Sequence, residues 1–201
     1  DRHAGPAPGR AFGGDAGGPS PERVVRADPG GPVDALGGDL AAAGLALADF
    51  GGLEGRGAHH RIRIGGGEAL VIDESYNANV ASMNATLDVF AATEAPGGRK
   101  VLVLGDMLEL GPQGKDLHKS LKPAVQAAGA AQVFLVGAAM EALRDELGED
   151  AVTGYARRIE DLMEPILSSL AFGDAVMIKG SKGVRLASLV DKVKQRFGQP
   201  A

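Results

Sequence analysis

The chain has 201 residues, 44% of them apolar and 23% charged, with 31 Gly, 11 Pro, two Tyr, six Phe, no Cys and no Trp, and a formal charge of −5. That length buries one aliphatic core without disulfides or structural metals, and the lack of cysteine excludes disulfide scaffolds, thiolate zinc sites and cysteine nucleophiles, in keeping with a cytoplasmic setting. The acidic balance argues against a nucleic-acid surface, and no apolar run forms a signal peptide or approaches the roughly 20 residues that cross a bilayer.

Residues 1–32 are rich in Gly, Pro, Arg and Asp and lack apolar periodicity. This predicts a disordered leader, because too little surface is buried to offset an ordering entropy of about 1–2 kcal/mol per residue. The chain begins at Asp1 rather than Met, as a fragment, a processed product or an incomplete gene reading does. At 33–50 the text becomes Ala/Leu-rich and ends in DLAAAGLALADF, which predicts one or two helical turns stopped by Gly51 and Gly52. RIRI and EALVID, separated by Gly65, Gly66 and Gly67, then predict a β-hairpin over 60–73.

Short aliphatic runs follow at 101–105 (VLVLG), 133–137 (VFLVG), 151–155 (AVTGY) and 175–180 (AVMIKG). Between them, apolar residues at three- and four-residue spacing predict helices at 80–93, 115–128, 138–147, 158–170 and 183–196. Continuously apolar strands alternating with amphipathic helices predict a three-layer, Rossmann-like α/β fold. Its sheet is mostly parallel and opens with an N-terminal β-hairpin or antiparallel edge strand. Ligands of such sheets bind beyond the carboxyl ends of the strands. Those ends read DESYNAN (73–79), GDMLELG (105–111), VG (136–137) and KGSKG (179–183).

Each loop has a chemical reading and a structural one. In the first, Asp73 suits a ribose hydroxyl, Tyr76 a base face, and Asn77 and Asn79 phosphate or peptide groups; alternatively Ser75 or Asn79 caps the helix at 80. In the second, Asp106 and Glu109 form an acidic pair able to hold a cation or an amine, or the loop simply leads into a helix whose dipole favours Asp116. His118, inside that helix, is more typical of a partly exposed surface position than of a base. KGSKG sets Lys179 and Lys182 around Ser181 at a helix start, a receptor for carboxylate or phosphate oxygens, or else a glycine turn with solvated lysines. No Walker A string, zincin, EF-hand or nucleophile-elbow pattern occurs. His59 and His60 are adjacent, so an extended segment sends them to opposite sides.

In this order and spacing the loops resemble the C-terminal domain of the Mur ligase family, closest to its MurF-type branch, which adds D-alanyl-D-alanine to UDP-N-acetylmuramoyl-tripeptide. The carriers are DESYNANVASMNATLD, similar to the family's D-[DS]-S-Y-N-A-N-P-x-S-M, then VLVLGDMLELG followed by His118, then IKGSKGVRL; the resemblance spans 52–197. GLEGRG at 52–57 resembles the exit from the family's central ATPase domain. Two positions depart from the pattern. Val80 stands where the family has Pro, which loosens the helix start, and Lys182 stands where Arg is common, which keeps the charge but loses the forked geometry.

The resemblance implies a chain divided into a disordered or non-native leader (1–32), a remnant of the central ATPase domain (33–58) and a Mur ligase C-terminal domain (59–198). The leader matches nothing in the family and reads like a shifted frame in a GC-rich gene. ATP and Mg2+ are implied as cofactors, bound mainly by the central domain, and D-alanyl-D-alanine and the UDP-muramoyl tripeptide as substrates. The partners implied are the N-terminal and central domains, with no nucleic acid and no membrane. Asp73, Tyr76, Asn77 and Asn79 are expected at nucleotide or closure contacts, and Lys179, Ser181 and Lys182 at the dipeptide carboxylate. Asp106 and Glu109 are expected at its ammonium or in loop geometry, with His118 beside them. No catalytic residue or metal ligand is expected in this chain, which lacks a P-loop and is not expected to turn over alone. Two alternatives are a non-catalytic nucleotide- or peptide-binding α/β module and the sister ligase that adds a diamino acid, whose usual D-N-P-R string is absent.

Overall fold

The computed structural model describes residues 54–198. The expectations for 1–32 and for the Ala/Leu-rich run at 33–50 lie outside the described residues. Six strands form one sheet in the order β1-β2-β6-β3-β4-β5. β1 (Ala58–Ile64) and β2 (Gly67–Glu74) are the antiparallel hairpin, and β3 (Arg99–Gly105), β4 (Gln132–Val136), β5 (Gly154–Ala156) and β6 (Asp174–Lys179) extend the sheet in parallel from β2. Gly65 and Gly66 form the two-residue hairpin turn, both at positive φ (57° and 85°), the backbone that a right-twisting hairpin asks of its turn.

Alternate side chains of each strand face opposite layers, and here both faces are apolar. Val101, Val103, Phe134, Val136, Val176 and Ile178 pack against α5 (Ile159–Ser169) and α6 (Ala187–Phe197). Leu102, Leu104, Val133, Leu135, Ala175 and Met177 pack on the other face against α1 (Val80–Ala92), α3 (Lys122–Ala127) and α4 (Met140–Leu147). This is the three-layer α/β arrangement predicted from the apolar runs. At the amino ends of the strands, Arg99 grips the buried Asp174 with a fork of hydrogen bonds, Nε to Oδ1 at 2.7 Å and Nη2 to Oδ2 at 2.6 Å. Among the described residues no helix is long and apolar enough to cross a membrane.

Two expectations need correction. The helix predicted over 115–128 is two short ones, α2 (Gly114–Lys119) and α3, because Pro123 has no N–H to continue the ladder; Leu121 N instead bonds back three residues to His118 O at 3.1 Å. The strand predicted at 151–155 begins only at Gly154, since Glu149–Ala151 forms a 3₁₀ turn. Gly154 sits there because a Cβ would crowd the ring of Phe134 at 3.0 Å.

Candidate functional site

Asp73, next to last in β2, is almost fully buried, and its carboxylate is fully engaged. Oδ1 accepts from Ser75 N (3.0 Å) and Ser75 Oγ (2.6 Å), and Oδ2 accepts from Gly55 N (2.9 Å). Gly57 N donates to Asp73 O at 2.9 Å and Tyr76 N to Gly55 O at 3.0 Å, so the 54–57 segment is fastened along the end of β2. A Cβ at Gly55 would meet Tyr76 Cβ at 2.8 Å, so only glycine lets the two segments lie this close. Asn79 caps α1, its Oδ1 accepting from Ser82 N at 2.8 Å while Ser82 Oγ accepts from Asn79 N at 3.1 Å. This reciprocal box fixes the start of α1 without the family's proline.

Lys179 ends β6 and is 2% exposed. Its ammonium donates to Asn77 O at 3.1 Å and Glu74 Oε2 at 3.4 Å, tying the β6 loop to the β2 loop. Ser181, also buried, accepts from Leu108 N at 2.9 Å and donates to Ala78 O at 3.4 Å, while its own N–H donates to Asp106 O at 3.0 Å. The three loops therefore share one rim, and Lys179 and Ser181 are its internal fastenings rather than open donors.

Asp106 is buried too. Its Oδ1 accepts from Met140 N (2.8 Å) and its Oδ2 from Ala139 N (3.2 Å), so it satisfies the free N–H groups at the start of α4 from across the sheet. Glu109 is exposed, at φ 64°, so the two acids have different surroundings. His118 is not at the surface: it is fully buried, and its Nε2 accepts from Met107 N at 3.0 Å while Nδ1 lies 2.6 Å from Gly114 O. A donor on one side and an acceptor on the other select the neutral Nδ1–H tautomer. His118 thus splints the 106–110 loop from behind.

What remains open at the rim is a smaller set. Tyr76 is 41% exposed, with the Arg56 guanidinium 4.2 Å from its ring centroid and the Lys182 ammonium 5.6 Å away. Beside it lies a cleft of about 350 Å³ lined by Glu54, Asp73, Tyr76, Lys182, Asp191 and Lys194. A second cleft, of about 410 Å³, opens between the loops after β3, β4, β5 and β6, with Leu108, Gly137, Arg157, Arg158, Gly183 and Arg185 among its walls. Further cations complete the two clefts: Lys194 lines the first and Arg157, Arg158 and Arg185 the second, while Arg56 stands over Tyr76. In the sequence, only Arg185, inside IKGSKGVRL, and Arg56, inside GLEGRG, stand in stretches that carry the resemblance, and neither is among the expected site residues. Among the described residues no group of three His, Cys, Asp or Glu side chains converges as a metal site.

Residues 60–182 match the family described as Mur ligase, glutamate ligase domain. The UDP-N-acetylmuramoyl-tripeptide–D-alanyl-D-alanine ligase of Rickettsia prowazekii is 33% identical over 159 residues, 79% of this chain and 34% of that protein. The enzyme of the same name from Escherichia coli is 46% identical over 79 residues, 39% of this chain and 17% of its own length. Among solved structures, the MurF ligase of Thermotoga maritima in complex with ADP superposes with a TM-score of 0.61 at 21% identity, covering 82% of this chain and 35% of that one. A MurF of Acinetobacter baumannii gives 0.62 at 22%, covering 81% and 35%; both show the same fold. The chain spans about a third, or less, of the length of these curated relatives.

Proposed function

The chain belongs to the Mur ligase family through its glutamate ligase domain, and from that premise we propose that it is the C-terminal domain of an ATP-dependent ligase adding D-alanyl-D-alanine to UDP-N-acetylmuramoyl-tripeptide. On this reading residues 59–198 are that domain and 33–58 the end of the central ATPase domain, which holds most of the ATP and Mg2+ contacts, in a cytoplasmic enzyme. ATP activates the tripeptide carboxylate as an acyl phosphate, and the dipeptide amine displaces phosphate to form the amide. The task of this domain is positioning and charge complementarity, which supply much of the rate in such transfers.

The observation that carries the reading is the shared rim. Three loops bearing the family's motifs are locked together by Lys179, Ser181 and Asp106, leaving Tyr76 open between two cations. Tyr76 offers an aromatic face to a nucleotide base, with Arg56 and Lys182 beside it for phosphate or closure contacts. Asp73, Asn77 and Asn79 act behind it as positioning residues, as do Lys179, Ser181, Asp106 and His118 for the acceptor side. Of the candidate site residues named in these loops, Glu109 and Lys182 are the exposed charged ones.

A chimera tests this reading. Residues 54–198 replace the corresponding domain of the Rickettsia prowazekii ligase, and amide formation is followed with D-alanyl-D-alanine and, separately, with a diamino acid. Turnover with D-alanyl-D-alanine is expected, and Tyr76→Ala in the chimera raises the KM for ATP by about 10-fold, the loss of a stacking contact. A folded chimera that ligates neither acceptor, or only the diamino acid, contradicts the proposal.

A further inference from the structure

With the ligase reading as its basis, we propose that the carboxylate of the incoming dipeptide is received by Arg185 and Arg157, in the cleft between the loops after β3, β4, β5 and β6, and not by the lysine–serine pair of the KGSKG motif. Lys179 and Ser181 are buried and already bonded to Glu74, Asn77, Leu108 and Ala78. Lys182 stands over Tyr76, in the other cleft. A carboxylate therefore needs donors elsewhere on the rim.

The second cleft supplies them. Arg158 is engaged by Asp161, Nη2 to Oδ1 at 3.0 Å and Nε to Oδ2 at 3.3 Å. Arg185 reaches Glu160 only at 3.8 Å and with both side chains well exposed, and Arg157 has no carboxylate within ion-pair distance among the described residues. Asp106, the other acid in the wall, has its oxygens turned to Ala139 N and Met140 N. Two guanidinium forks are thus left for an anion, and a fork matches a carboxylate edge to edge.

The backbone aims one of them. Arg185 sits in the left-handed region (φ 67°, ψ 28°), and Glu109, on the neighbouring loop, is the other non-glycine residue at positive φ among those described. The turn before Arg185 is closed by Val184 N to Ser181 O at 2.9 Å and Arg185 N to Lys182 O at 3.0 Å. Such conformations carry a cost and cluster where a side chain must point to a ligand. Gly137 and Gly183 line the same cleft without side chains. Leu108, 44% exposed, forms an apolar lip suited to alanine methyl groups. A diamino acid would bring a second ammonium toward the arginines, so the same charges discriminate against it.

The test is a backbone amide NMR titration of the whole chain with D-alanyl-D-alanine, with its C-terminal amide, and with ATP. Binding in the millimolar range should move the Gly137, Ala138 and Gly183 amides with the free acid and not with the amide derivative. Arg185→Gln and Arg157→Gln should each weaken it by at least ~10-fold, the loss of a charge-assisted hydrogen bond, while Arg63→Gln on the exposed face of β1 leaves it unchanged. Equal binding of acid and amide overturns the proposal. So does wild-type affinity in Arg185→Gln, displacement of the shifts to Tyr76 and Lys182, or no shift at all. Failure of the ligase reading shows separately, in a folded chimera that does not ligate D-alanyl-D-alanine.

Discussion

His60 faces inward from β1 with its side chain 11% exposed, its Nε2 3.9 Å from Asp73 Oδ2 and without a hydrogen-bond partner. Burial, then the nearby Lys194 ammonium, push its pKa below the ordinary imidazole value; Asp73 and Glu54 pull the other way and lose. The folded state therefore keeps His60 neutral at a pH where the unfolded chain already takes up a proton. Its contribution to stability is complete above about pH 6.5 and declines as the pH falls through that value toward the lower folded one. Urea midpoints measured from pH 8 down to pH 5 should fall below about 6.5, and His60→Gln should flatten that part of the curve. Parallel curves for the two proteins would show that His60 is not the titrating group. At this scale the motif residues were legible as residue types but not as roles. Asp73, Asp106 and Lys179 carry charges that a sequence presents as available, whereas each is spent on backbone groups or a buried partner that only the folded chain brings near.

Among the elements, strand and helix positions followed from apolar spacing wherever burial is complete, as in β3, β4 and β6, whose central residues face a helical layer on both sides. The errors lie where backbone chemistry overrides side-chain pattern. Apolar spacing continues through Pro123, yet the helix breaks just before it, at Ser120 and Leu121. α5 instead tolerates Pro165 in its interior, at an exposed position. There the ring forfeits the hydrogen bond to Asp161 O and crowds that carbonyl, a penalty of up to about 3 kcal/mol, offset in part by about 0.4–1 kcal/mol from a stiffer unfolded chain. Pro165→Ala should thus stabilise the protein by about 1–2 kcal/mol in urea unfolding, with a small rise in helical circular dichroism. An unchanged or lower midpoint would mean that the surrounding packing already absorbs the kink.

In the whole molecule, the parallel part of the sheet gathers the β2, β3, β4 and β6 loops at one end, which is why three motifs separated by up to a hundred residues make one rim. That gathering was foreseeable from the alternation of elements; the arginine-bearing loop after β5 that completes it was not, because nothing local marks 157–158 as a neighbour of 183–185. The joint of the rim is Asp106, and beside it lies Gly137, at φ 126°, where a Cβ would collide with the Asp106 carboxylate. Gly137→Ala must therefore displace a buried carboxylate from Ala139 N and Met140 N and strain its own backbone. A lost helix cap costs about 1 kcal/mol, unmet buried groups about 1–3 kcal/mol, and the positive φ of the order of 1–3 kcal/mol; partial relaxation leaves a net loss of about 3 kcal/mol in urea unfolding. Hydrogen exchange gives the sharper outcome. Because the Asp106 carbonyl also accepts from Ser181 N and the Asp106 N–H donates to Val136 O, amides at 106–110, 137–143 and 181–185 should lose protection together. The β1–β2 hairpin, which makes no bond to this joint, should lose only what global stability takes from it. Loss confined to α4 alone would mean that the loops are fastened independently, and that the acceptor cleft is not the single preorganised unit its hydrogen bonds describe.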